Sequence, residues 1–270
     1  MEDIIEVMDF ENTYAWKNTY EKRFSDVWGL DEVKARLLSL SSAADSKYGA
    51  LLFGHPGTGK TMLAMALANE LEVNIAVVSE AELCRADKKE RLKRLFYEAR
   101  HLDRAVVVLD GADEILPAAP STPELVAEIA SEMALCEGRV ILVATTNKPW
   151  NIDPTALSEL FTTRLYVENP ARDIRLAMLE DNLEKLIGGG LLTRADNVDL
   201  ADVLDATEGY SVWNMECLMK AAGTAAVMRY VTEMVKEVDA SLYLKEAAGY
   251  APSLTEDDLD RMRLWLESES

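Results

Sequence analysis

Eight consecutive residues, Gly54-His55-Pro56-Gly57-Thr58-Gly59-Lys60-Thr61, combine the residue types that hold a phosphate. The glycines permit backbone angles and close approaches that a Cβ would forbid, so successive N–H groups can aim at one anion. An apolar run, Ala50-Leu51-Leu52-Phe53, precedes the stretch, and Met62-Leu63-Ala64-Met65-Ala66-Leu67-Ala68, of strong helix propensity, follows it. Strand, glycine-rich turn and helix are the setting of a nucleoside-triphosphate loop, and the dipole of a helix starting near Gly59 adds to the anion site. Gly54 to Met62 would then cradle ATP. Lys60 would reach the β- and γ-phosphates, and the Thr61 hydroxyl would ligate Mg²⁺. The alternative is a glycine-rich turn that holds no ligand.

The elements needed to position this loop are legible around it. Val73 to Val78 reads as a second strand, and Lys88 to His101 as an amphipathic helix with Leu92, Leu95, Phe96 and Ala99 on one face. Its basic residues read as a solvated face. Ala105 to Leu109 is a continuous apolar run ending in Asp110, as a central parallel strand requires. A loop with Pro117, Pro120 and Pro123 leads to a helix over Glu124 to Leu135. Arg139 to Ala144 is the next buried strand, ending at Thr145-Thr146-Asn147, and Arg164 to Val167 is a short last one. Strands alternating with helices imply a parallel sheet covered on both faces.

From Pro170 onward the pattern predicts helices alone: Asp173 to Leu186, Leu200 to Ala206, and Trp213 to about Val238. A terminal helix from Leu259 to Leu266 follows the acidic cap Thr255-Glu256-Asp257-Asp258. The chain thus divides into an acidic aromatic arm (1–25), an α/β nucleotide-binding part (26–169), a helical lid (170–250) and a C-terminal helix (251–270). The arm carries Phe10, Tyr14, Trp16, Tyr20 and Phe24, several of them four apart on one helical face. It either packs on the main body or docks another subunit.

With 270 residues and a formal charge of −20, the chain has ample core and is no general binder of nucleic acid or anionic membrane. No apolar run approaches the roughly 20 residues of a membrane helix. Cys84, Cys136 and Cys217 are scattered and odd in number. They read as small buried hydrophobes in a reducing, cytoplasmic compartment. With only His55 and His101, a histidine metal centre is not expected.

Taken together over roughly residues 24–270, these motifs resemble the AAA family of ATPases, and in particular the clade of katanin, spastin and the ESCRT-disassembling ATPase. Phe24-Ser25-Asp26-Val27-Trp28-Gly29-Leu30 is similar to that family's opening motif, which implies Trp28 beside the adenine. Ala144 to Asp153, with Pro149-Trp150, resembles its sensor-1 segment and implies a catalytic role for Asn147. Glu208-Gly209-Tyr210-Ser211 resembles the start of its lid motif. The resemblance implies a P-loop NTPase fold with a five-stranded parallel sheet and a small all-helical lid. It also implies relatives that assemble as hexameric rings and thread polypeptide.

The departures bear on activity. Relatives end the acidic strand in Asp-Glu, the Asp positioning Mg²⁺ and the Glu polarising the attacking water. Here Asp110 fits the first role, but Gly111 stands at the second, and Glu114 is a weak candidate three residues on. Ser158 and Glu159 stand where relatives carry arginine fingers, while Arg164 matches a position beside the last strand. Ser79 to Asp87 is shorter than the relatives' pore loop and holds no aromatic. Val212-Trp213-Asn214 replaces small residues near the adenine, so Trp213 either stacks on the base or partly fills its pocket. Two readings follow: a hydrolysis-impaired regulatory or structural subunit that binds ATP and sits beside a finger-bearing AAA subunit, or an active ATPase that remodels proteins.

Overall fold

The computed structural model describes residues 16–17, 22–41, 49–83, 88–196, 198–251 and 256–269. The expectations for most of the arm, for Cys84, for the end of the segment 79–87 and for the cap at Thr255 lie outside the described residues.

Five strands form one sheet: β1 (Ala50–Phe53), β2 (Asn74–Ser79), β3 (Ala105–Asp110), β4 (Val140–Thr146) and β5 (Thr163–Tyr166). They are all parallel, in the order β2-β3-β4-β1-β5. The helices before and between them are α1 (Asp31–Leu40), α2 (Lys60–Glu70), α3 (Glu80–Leu83), α4 (Lys88–Ala99), α5 (Ala112–Ile115), α6 (Pro123–Leu135) and α7 (Pro154–Glu159). Strand side chains alternate between faces, so a strand buried on both sides must be apolar throughout. Leu51, Phe53, Val107, Leu109 and Leu142 pack on one face with α4 and α6. Leu52, Val106, Val108, Ile141 and Val143 pack on the other with Leu37 of α1 and Leu63 and Leu67 of α2.

The remaining elements are α8 (Arg172–Gly188), β6 (Thr193–Arg194), α9 (Ala201–Ala206), α10 (Val212–Glu233), β7 (Glu237–Val238), α11 (Ala240–Ala247) and α12 (Glu256–Glu269). Met178, Leu179, Leu183, Met215, Leu218 and Tyr243 form their own core. C-terminal to it, α12 returns to the sheet, burying Met262 and setting Trp265 edge-on to Phe53 at 4.5 Å between ring centroids.

Several expectations need correction. The part after Pro170 is not purely helical, because β6 and β7 pair in parallel. The long helix stops at Glu233 and not near Val238: Met234 takes a left-handed conformation (φ 58°) and its N–H closes on Tyr230 O. That break frees Glu237–Val238 to pair, and α11 follows as a helix the sequence pattern did not predict. Two segments expected as loops contain single turns of helix, α3 and α5, and α7 is a further unpredicted helix. In the last case, the Asp153 carboxylate caps the helix by accepting from Thr155 N at 2.8 Å. Where the arm is described, it packs on the main body. Lys17 pairs antiparallel with Ile75 on the outer edge of β2, and Trp16 Nε1 donates to Glu98 at 3.0 Å.

Candidate functional site

β1 turns into α2 through the glycine-rich loop. In the sheet order β4 lies between β1 and β3, so the chain changes direction of winding there, and the carboxyl ends of the strands open a crevice. The register sets the crevice's polar lining. Asp110 at the end of β3 lies beside Thr145 of β4, and Phe53 at the end of β1 lies beside Thr146.

Lys60 is the first residue of α2 and is 7% exposed. Its ammonium donates to Gly54 O at 2.9 Å, to His55 O at 2.7 Å and to Thr58 Oγ1 at 3.4 Å, folding back over the loop. Burial pushes this ammonium down to about 8, against the opposing pull of the Asp110 and Asp113 carboxylates. The buried His55 imidazole is also held below its ordinary value, by burial first and then by Lys60, while Asp258 of α12 acts the other way. Gly57 touches the helical part. A Cβ there would meet Ser211 Oγ at 2.7 Å and Trp213 Cβ at 2.9 Å, and Trp213 N donates to Gly57 O at 3.0 Å.

Thr61 Oγ1 donates to Asp110 Oδ1 at 2.7 Å, and Thr145 Oγ1 donates to the same oxygen at 2.6 Å. A hydroxyl and a carboxylate held together are hard oxygen donors that fit Mg²⁺, which also takes waters and substrate phosphate oxygens. Among the described residues no cluster of three or more His, Cys, Asp or Glu would hold a metal without such help. Thr61 and Asp110 would hold the ion, which would neutralise charge on the phosphates.

The other candidates are dispersed around this centre. Asn147 is exposed just beyond the carboxyl end of β4. Pro56 and Gly57 are exposed, Thr58 is buried, and Met62 is half-buried with its Cε near Gly59. Trp28 is half-buried and packs against the core of the helical part, whereas Trp213 is 58% exposed. Gly111 takes a left-handed conformation (φ 82°) and caps α5, on which Glu114 is exposed. Ser158 and Glu159 are exposed in the last turn of α7, ahead of the buried Leu160. Arg164 donates to Phe161 O and Leu157 O, bracing the α7–β5 turn.

Sequence reasoning missed the residues that order this centre. Besides Thr145 they are Thr146, which donates to Asp113 Oδ1 at 2.6 Å, and Asp153, which is 1% exposed. Burial pushes the Asp153 carboxyl up, but donors from Ser121, Thr122 and Thr155 outweigh it and hold the group below its ordinary value. Two adjacent hydroxyls ending an apolar strand, Thr145-Thr146, were the signal available.

A phosphate loop at a switch point of a parallel sheet, with a hydroxyl and an acidic residue joined beneath it, defines a P-loop nucleoside triphosphatase fold. The profile described as "ATPase family associated with various cellular activities (AAA)" matches residues 50–169. The chain belongs to this AAA family, within the katanin and spastin clade. Spastin of Gallus gallus is 31% identical over 205 residues, 72% of this chain and 32% of that protein. Protein SAV of Sulfolobus acidocaldarius is 29% identical over 235 residues, 78% of this chain and 29% of that protein. The chain therefore spans about a third or less of the length of these curated relatives. Its fold superposes on the FIGL-1 AAA domain in complex with ADP with a TM-score of 0.73 at 23% identity, over 96% of this chain and 94% of that one. A chain from work on the structural basis for katanin self-assembly gives 0.72 at 23% identity, over 93% of each.

One consequence of the Lys60 environment is measurable. Bound phosphates favour the ammonium over the amine, raising the pKa that burial had lowered to about 8. Well below pH 8 Lys60 is charged with or without nucleotide, and no proton moves. Above it the free protein increasingly holds an amine, so binding takes up a proton and affinity falls as pH rises. Calorimetry above pH 8 in two buffers of different ionisation enthalpy should give different apparent heats. Equal heats would show that Lys60 does not titrate there.

Proposed function

We propose that this chain is an ATP-binding AAA subunit of a protein-remodelling assembly, in a cytoplasmic setting, whose own hydrolysis is impaired. The observation that supports the reading is the convergence of Lys60, Thr61 and Asp110 at one crevice in a chain whose α7 presents Ser158 and Glu159 at its end. Lys60, Thr61 and Asp110 converge on one crevice, as ATP and Mg²⁺ require. At the last turn of α7, where relatives carry arginine fingers, Ser158 and Glu159 face solvent. The helical part from 170 to 250 would act as the lid, reporting on nucleotide through the contact of Ser211 and Trp213 with Gly57. The adenine would lie between Trp28 and the start of α10, with Trp213 free to stack on it.

In a homo-ring Glu159 would oppose the neighbour's γ-phosphate, like charge against like in a partly dehydrated site. The formal charge of −20 adds repulsion between identical subunits. The protein alone is therefore expected to sediment as a monomer at physiological salt, with or without Mg·ATP. A finger-bearing, less acidic AAA subunit is the expected partner. A discrete homohexamer at low micromolar concentration would overturn this reading of assembly.

A further inference from the structure

The family's water-polarising glutamate has no side chain to match it at Gly111, yet the crevice does not lack a carboxylate at that place. A Cβ built on Gly111 would find one atom other than its chain neighbours within 4 Å: Glu114 Oε2, at 3.8 Å. That is about as far as a glutamate's own carboxylate oxygens lie from its Cβ. Glu114 sits on α5, one helical turn beyond the glycine. Glu114 N and Ile115 N both donate to Gly111 O, so the turn is closed and the side chain folds back over its start.

A glutamate at this third helical position ordinarily reaches back to bond the N–H of the capping residue. That explanation fails here. Gly111 N donates instead to Thr145 O at 3.1 Å and to Thr145 Oγ1 at 3.3 Å. Among the described residues the Glu114 side chain makes no hydrogen bond or ion pair. Its neighbour Asp113 is engaged differently, accepting from Thr146 Oγ1 at 2.6 Å and acting on Lys60. Of the two acids on this turn, Glu114 is the one that is both uncommitted and close to the missing side chain's place.

We infer that Glu114 replaces the missing glutamate, its carboxylate brought into position by the left-handed glycine and the single turn of α5. This rests on the reading that the site binds Mg·ATP. The Glu114 carboxylate would accept a hydrogen bond from the attacking water. As the water oxygen bonds to the γ-phosphorus, the bond from phosphorus to the β–γ bridging oxygen breaks and its electron pair leaves on ADP. The water's proton passes to Glu114 and from there to solvent. Hydrolysis stays slow because no finger stabilises the charge on the transferring group, and the turnover that remains depends on Glu114.

The test uses the intact protein and its Glu114→Gln and Asp113→Asn variants. Because Glu114 is exposed, the Gln variant should fold unchanged. Single-turnover hydrolysis of ATP, with protein in excess, should slow by about 10²-fold or more in Glu114→Gln. Its Mg·ATP affinity by calorimetry should stay within about twofold of the parent. Nucleotide extracted after incubation should be ATP from the variant and increasingly ADP from the parent. Equal rates in parent and Glu114→Gln would overturn the inference, as would loss of hydrolysis in Asp113→Asn alone, or no hydrolysis by the parent. Failure of the underlying reading would look different, because no variant and no parent would then bind Mg·ATP in the calorimeter.

Discussion

Lys60→Ala is expected to lose Mg·ATP binding, with affinity lowered by roughly 10²-fold or more. The ammonium already holds three oxygens of its own loop, and on binding would exchange them for phosphate oxygens. Hydrogen bonds to charged groups contribute about 1.5–3 kcal/mol each, and phosphate offers Lys60 more than one. Alanine removes that charge and also the donor to the buried Gly54 carbonyl, leaving His55 O only its bond from Thr58 Oγ1, so a lower melting temperature should accompany the lost affinity. Thr61→Ala serves as the companion variant. It keeps the ammonium but breaks the bond to Asp110 Oδ1, so its deficit should be confined to binding measured with Mg²⁺ present. Calorimetry on the three proteins, with and without Mg²⁺, separates these effects. Equal affinity in the parent and Lys60→Ala would show that nucleotide is not held by this loop.

Turnover by the isolated protein is expected to be far below the rate of order 1 s⁻¹ usual for such enzymes, and a finger-bearing AAA partner should raise it by about 10³–10⁵-fold. An arginine finger supplies about 4–7 kcal/mol of transition-state stabilisation by placing positive charge where the transferring phosphoryl group gathers negative charge. In the proposed reading α7 would be the scaffold for a finger. Asp153 caps α7, Leu160 anchors its end in the core, and Ser158 and Glu159 are left facing outward. On that reading the cation would be missing, and Glu159 would bring the wrong sign. Steady-state phosphate release should therefore be slow for the protein alone and rise when a finger-bearing subunit is added. An isolated rate near 1 s⁻¹ would show that the fingers are dispensable and favour the active-remodeller reading. No response to any finger-bearing partner would leave the protein a nucleotide-holding subunit with no activation in trans.

Those two outcomes draw on parts of the molecule that differ in how far they can be seen from the chain alone. The phosphate loop was legible because its chemistry is contiguous: Gly54 to Thr61 bend and point by their own backbone preferences, without help from distant residues. The strands were legible because burial on both faces demands unbroken apolar runs such as Ala105 to Leu109. Asp110 stood out as the acid that ends one of them. Strand order and register were not written locally. They place Thr145 on Asp110 Oδ1, beside Thr61 from a third element, and Thr146 on Asp113. No spacing rule links these residues, since each bond spans dozens of positions.

The same holds for the helical part, where the sequence reads as one helix to about Val238 until Met234 takes its left-handed turn and β6 gains a partner. By itself the sequence determined the glycine-rich loop between strand and helix and the layered α/β core, because each depends on residue type along one local stretch. Only the tertiary structure decided that Lys60 lies buried over its own loop and that Ser211 and Trp213 of the helical part touch Gly57. Those are distances that packing sets, and packing is a property of the whole chain.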